Sequence, residues 1–198
     1  MLDNDSQSYV WYRKGASILY ALQDYIGEDN LNTGFRNFLD SAAFREESPF
    51  ATTTEWYANI KAVCPDSMQY FLEDSFEKIT LYNNRITKTE YKKISDTEYE
   101  VNLTFETKKT HYGGNGEELD SPDRPNLLEV GIFAEDAKND KGKMEKVPLY
   151  LEKIWVSPGE TSLTITVKQE PKQAGIDPYN KMIDRIPNDN MKDVEKAK

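Results

Sequence analysis

Leu81-Tyr82-Asn83-Asn84 is the stretch at which the hydrophobic period of this chain changes, and the fold class follows from what lies on either side of it. Before it, apolar residues recur at three- and four-residue steps; after it, they alternate. The first spacing lines one face of a helix and the second lines one face of a strand. The chain therefore reads as α+β: an all-helical subdomain over residues 1–82, an antiparallel β-sandwich over 83–172, and a docked turn with a frayed tail over 173–198.

Working back from the boundary, residues 9 to 26 carry Trp11, Gly15, Ile18, Leu19, Leu22 and Ile26 at helical spacing, with Gly27 as a stop. A second helix is expected over residues 30 to 43, capped by Asn30 and striped by Leu31, Phe35, Phe38, Leu39 and Ala42. Thr52-Thr53-Thr54-Glu55 has the spacing of a capping box and opens a third helix through Trp56, Ile60 and Val63, which Pro65 ends. Pro65-Asp66-Ser67 starts a fourth, with Met68, Phe71, Leu72, Phe76 and Ile79 in helical phase.

Working forward, residues 85 to 94 read as a polar edge strand. Residues 98 to 110 alternate, with Tyr99, Val101, Leu103 and Phe105 on one face. Further strands are expected over 127 to 135, 147 to 156 and 162 to 169, with Leu149, Leu151, Trp155, Leu163, Ile165 and Val167 pointing inward. Five strands with no helix between them, separated by turns such as Gly113-Gly114-Asn115-Gly116 and Asn139-Asp140-Lys141-Gly142, suit a small sandwich of immunoglobulin-like type. Residues 188 to 198 are polar enough that fraying is expected.

Composition narrows the function. With 35 acidic and 25 basic residues the net charge is −10, which repels phosphate backbones and anionic lipid surfaces, so neither nucleic acid nor a membrane is an expected partner of this segment. No stretch approaches the roughly 20 apolar residues of a membrane span, and the chain as given is expected to be soluble. Cys64 is the single cysteine and His111 the single histidine, so neither an intrachain disulfide nor a histidine-rich metal site can be assembled. Cys64 reads as a small core filler and His111 as a surface residue. Asp136 to Gly142 has the look of a calcium loop, but lysine stands where the required glycine belongs, and a hairpin turn accounts for it better. Asn102-Leu103-Thr104 matches a glycosylation pattern but falls inside an expected strand.

Chemistry is concentrated near the start, in Tyr9-Val10-Trp11-Tyr12-Arg13-Lys14-Gly15. Local spacing alone makes Tyr12 a tyrosine in a helix packing face. The segment, with Tyr20 to Glu28 and the helices beyond, resembles the Tyr-x-Lys-Gly region of the aminopeptidase N-like zinc metallopeptidases (gluzincins), and the resemblance covers most of residues 9 to 80. It implies that Tyr12 is catalytic, donating a hydrogen bond to the oxyanion formed when water attacks a peptide carbonyl, and that Tyr9 lines the same substrate cleft. The family's His-Glu-x-x-His motif is absent from the sequence. The resemblance therefore implies a C-terminal portion of such a peptidase, without a metal site of its own and inactive alone. Zinc would be carried by an upstream part of the same polypeptide, which would also be its partner. The runs at 65 to 70 and 76 to 82 and Ile176-Asp177-Pro178-Tyr179-Asn180 resemble a bacterial subgroup fused behind an ABC-transporter-type permease, which implies a membrane-tethered parent. The rival reading, from another class, is a non-catalytic module that binds protein or peptide.

Overall fold

The computed structural model describes residues 9 to 197, with side chains from residue 12 onward. The chain is α+β and divides into two compact units, one ending at Ile79 and one beginning at Thr80.

The first unit opens with a π-helical segment, Tyr9–Lys14, that runs into α1, Gly15–Ile26. α1 buries Ile18, Ala21, Leu22, Tyr25 and Ile26, the stripe that its three- and four-residue spacing dictates. Gly27, at φ 90°, ends α1, and α2, Glu28–Ala42, starts at the next residue. Asn30 is thus not the cap expected from the sequence. It sits in the first turn of α2, and its Nδ2 donates 2.7 Å back to the Ile26 carbonyl, satisfying one of the acceptors that α1 leaves open.

α3, Thr53–Val63, begins with the expected capping box: Thr52 Oγ1 accepts from the Glu55 amide at 3.2 Å while Glu55 Oε2 accepts from the Thr52 amide at 2.8 Å. Such a cap contributes about 1 kcal/mol. α2 lies close against α3 because Gly34 has no side chain there; a Cβ would stand 2.8 Å from Ile60 Cδ1 and 3.1 Å from Val63 Cγ2. Phe35, Trp56 and Phe76 continue this contact as a chain of rings, with centroids 5.9 and 5.4 Å apart. The fourth helix is shorter than its sequence pattern suggests. Only Gln69–Leu72 is α-helical (α4), between a 3-10 turn at Asp66–Met68 and a π turn at Glu73–Glu77. Met68, Phe71 and Leu72 are buried as expected, but Ile79 is exposed and already begins a strand.

That strand, β1 (Ile79–Lys93), starts ahead of the boundary expected at residue 82 because Thr80, Tyr82, Asn84 and Ile86 all turn inward at period two. It is not a polar edge, since β2 (Tyr99–Tyr112) lies on one side of it and β11 (Glu195–Lys196) on the other. β3 (Glu118–Asp120) and β8 (Gly159–Val167) pair with β2 to complete the first sheet. The second sheet runs β10 (Met191–Asp193), β9 (Gln173–Ile176), β4 (Asn126–Phe133), β7 (Pro148–Val156). β5 (Ala137–Lys138) and β6 (Met144–Glu145) form the small hairpin whose turn Asn139 organises, its Oδ1 accepting from the amides of Lys141 and Lys143. β11 runs parallel to β1, whereas β3 and β8 pair antiparallel with β2, β7 and β9 with β4, β10 with β9, and β5 with β6.

The two sheets face one another across Val101, Leu103 and Phe105 of β2 and Leu128, Val130 and Ile132 of β4, all at or near zero exposure. Two expectations fail here. Trp155 pairs with Leu127 in register and is 53% exposed, while the buried Leu128 pairs with Ile154, so Trp155 does not point inward as read from the sequence. The stretch from 173 onward does hold a docked turn, at residues 177–180, where the Asp177 amide bonds the Glu129 carbonyl, but its end is not frayed. It supplies β9, β10 and β11, and the Ala197 amide still bonds the Tyr91 carbonyl. Its polarity misled because these strands are held by main-chain bonds, with only Ala174 and Ile176 inserted into the core.

Candidate functional site

Tyr12 lies in the π-helical turn ahead of α1 and is 77% exposed. A tyrosine in a packing face would be covered by its neighbours, whereas this ring stands free of its own unit. One turn on, Ile18, Ala21 and Leu22 anchor α1, so the ring is presented from a helix that the core fixes. Lys14 is half-buried, and that burial holds its ammonium below the usual lysine range. Gly15 is the first residue of α1 proper. The side chain of Tyr9, the other expected cleft residue, lies outside the described residues.

The described residues do not fit a zinc ion. His111 is buried at the end of β2, not on the surface as its neighbouring glycines suggested, and its Nδ1 lies 2.7 Å from Asp120 Oδ1 across the β2–β3 pair. The strand persists to Tyr112, which is why the ring is covered. Cys64 is buried at the end of α3, and desolvation, helped by the Asp66 charge, pushes its thiol up to about 11, the behaviour of an inert filler. Among the described residues no group of three or more His, Cys, Asp or Glu is placed to hold a metal ion. Asn102 of the glycosylation-like triplet accepts from Thr164 Oγ1 at 2.6 Å within the β2–β8 ladder. No described helix is long and apolar enough to cross a membrane.

The most developed polar chemistry is elsewhere, in the second unit. Lys181 donates to both oxygens of Glu129, at 3.0 and 2.9 Å, inside the protein. Beside them Asp177, fully buried and at φ 47°, accepts from the amides of Lys181 and Met182 at 2.8 and 2.9 Å. Burial raises its carboxyl to about 7 against the opposing pull of those amides and of Lys181. Sequence reading placed a docked turn here but missed the ion pair. Its signal was Glu129, the one charge in the apolar run Leu127-Leu128-Glu129-Val130-Gly131-Ile132. A cleft of about 520 Å³ also lies between Thr87 to Glu90 of β1 and the final strands, lined by lysines and carboxylates in near balance.

No family model matches the chain, and no curated protein matches it. Among solved structures, a β-glucosidase from Kluyveromyces marxianus aligns over 60% of this chain and 15% of its own, at 11% identity and a TM-score of 0.31. The same enzyme in complex with glucose aligns over 59% and 14%, at 12% identity and a TM-score of 0.29. The chain thus spans about 15% of the length of that enzyme. Likeness of this degree carries no functional argument.

Proposed function

We propose that this chain is the C-terminal portion of a zinc-dependent, aminopeptidase N-like metallopeptidase, contributing the oxyanion-stabilising Tyr12 and inactive by itself. The observation that carries the reading is the exposed phenol of Tyr12, set at the head of a rigidly packed helix in a Tyr-x-Lys-Gly context. A neutral phenol is a donor suited to developing negative charge, and one such donor is typically worth about 2.7 to 4 kcal/mol in the transition state. Zinc has no ligand set among the described residues and belongs, on this reading, to the upstream part of the parent polypeptide, together with the general base and most of the peptide-binding cleft. The permease-fused subgroup extends the proposal to a membrane-tethered parent.

The test is Tyr12→Phe in the full-length polypeptide, with zinc content measured alongside peptidase activity. Loss of turnover with zinc retained supports the assignment. Wild-type kcat in the variant refutes it and leaves the binding-module reading, for which the exposed Phe44 and Phe50 between α2 and α3 would supply apolar contacts.

A further inference from the structure

β8 has a strand on one side only. Its ladder with β2 runs without a register shift from Val167 opposite Tyr99 to Gly159 opposite Thr107, and no described strand pairs with its other edge. An open edge presents a row of main-chain donors and acceptors, and proteins commonly guard a long one with charges, a proline or a bulge. β7, the long edge strand of the other sheet, carries Pro148, Glu152 and Lys153. β8 has no such guard along its length. Between Glu160 near its start and Lys168 just past its end runs Thr161-Ser162-Leu163-Thr164-Ile165-Thr166-Val167, uncharged, free of proline and rich in β-branched side chains. Ser162, Thr164 and Thr166 are exposed, and Leu163 and Ile165 are only half-buried.

We propose that β8 is a dimer seam, pairing antiparallel with β8 of a second copy of this chain about a two-fold axis at Thr164. The charges of the strand select both the occupant and the register. Main-chain groups of an antiparallel pair alternate between bonded and non-bonded positions, so a two-fold between identical strands passes through a residue and not between two. With the axis at Thr164, Glu160 meets Lys168 of the second copy at both ends of the seam, Ser162 meets Thr166, and Leu163 meets Ile165. Moving the axis to Leu163 sets Lys168 against Pro158, and moving it to Ile165 sets Glu160 against Glu170. Glu160 also stands opposite Glu106 in the β2 ladder, a like-charge pair that the second copy's lysine relieves. Main-chain bonds supply the attraction and the end charges fix the alignment. Stable interfaces bury about 1,200 to 2,000 Å², and a single strand edge falls at or below the low end of that range, so the dimer exchanges with monomer at micromolar concentrations.

The experiment is sedimentation equilibrium of the full chain at low salt, from a few to several hundred micromolar. A reversible monomer–dimer equilibrium is expected. Glu160→Lys and Lys168→Glu each set like charges together at both ends of the seam and should weaken dimerisation about tenfold, with an unchanged circular dichroism spectrum. The double variant exchanges the two charges and should dimerise as the parent chain does. If either reversal unfolds the chain, Glu160→Gln with Lys168→Gln is read in its place, with weaker dimerisation expected. A monomer at every concentration overturns the proposal. So does a dimer indifferent to the single reversals, which would place the contact elsewhere, or a double variant that stays as weak as the singles, which would rule out this register. Assembly beyond the dimer overturns it too, because a two-fold seam closes on itself.

Discussion

Lys181 Nζ stands 3.0 and 2.9 Å from the two carboxylate oxygens of Glu129, and the two side chains are only 5% and 6% exposed. The pair ties the loop after Asp177 to the middle of β4, where the Asp177 amide also bonds the Glu129 carbonyl. Breaking it from one side leaves a buried charge. Lys181→Met should therefore destabilise the β unit by about 3 to 5 kcal/mol, while Glu129→Met with Lys181→Met recovers most of that loss. Urea denaturation of the single and the double variant measures this; equal losses in the two would show that the pair's charge balance is not what matters.

Asp177 gives stability a pH dependence of a definite sign. Its folded-state pKa of about 7 lies above the unfolded carboxylate value, so the native state holds a proton that the unfolded chain has released. The stabilisation is complete below about pH 4 and is lost as pH rises to about 7, with a slope of at most ~1.4 kcal/mol per pH unit. Asp177→Asn should remove that part of the slope. Urea titrations at several pH values check it, and an unaltered slope between pH 4 and 7 would refute the assignment.

Gly34 should not tolerate alanine. The added methyl would press on Ile60 and Val63 of α3 and approach the Asn59 carbonyl at 3.3 Å, and overpacking of this kind costs about 1 to 3 kcal/mol despite the better helix propensity of alanine. The helical unit's unfolding midpoint, followed by tryptophan fluorescence from Trp56, is the readout.

For Tyr12, phenylalanine preserves the ring and removes only the hydroxyl. In the full-length polypeptide Tyr12→Phe should lower kcat by about a hundredfold with little change in KM, since the bond acts on charge present only in the transition state. Tyr9→Phe is the control and should have a much smaller effect. A Tyr9→Phe variant without turnover would move the oxyanion donor to that residue.

Local signals account for what was legible in the residues themselves. The change of period near Leu81 separated helices from strands because repeats of 3.6 and 2 residues are written in neighbouring positions. The Thr52 and Glu55 cap and the Asn139 hairpin were legible for the same reason, each closing within six residues. The start of β1 was misplaced because Phe76 and Ile79 also suit a helical phase, whereas in the structure the strand already begins at Ile79.

Tertiary structure decided everything that joins distant positions. Glu129 meets Lys181 across 52 residues and Asn84 meets Asp184 across 100, separations for which hydrophobic period carries no information. The same holds for the polar C-terminal strands, whose order comes from main-chain bonds offered by β1 and β9, and for Trp155, whose face is set by register with β4. The sequence determined by itself that helices precede strands and that Tyr12 stands in a Tyr-x-Lys-Gly setting. That its phenol is uncovered, and that Glu129 and Lys181 are buried together, depended on packing, because exposure and clustering belong to the folded chain and not to any window of residues.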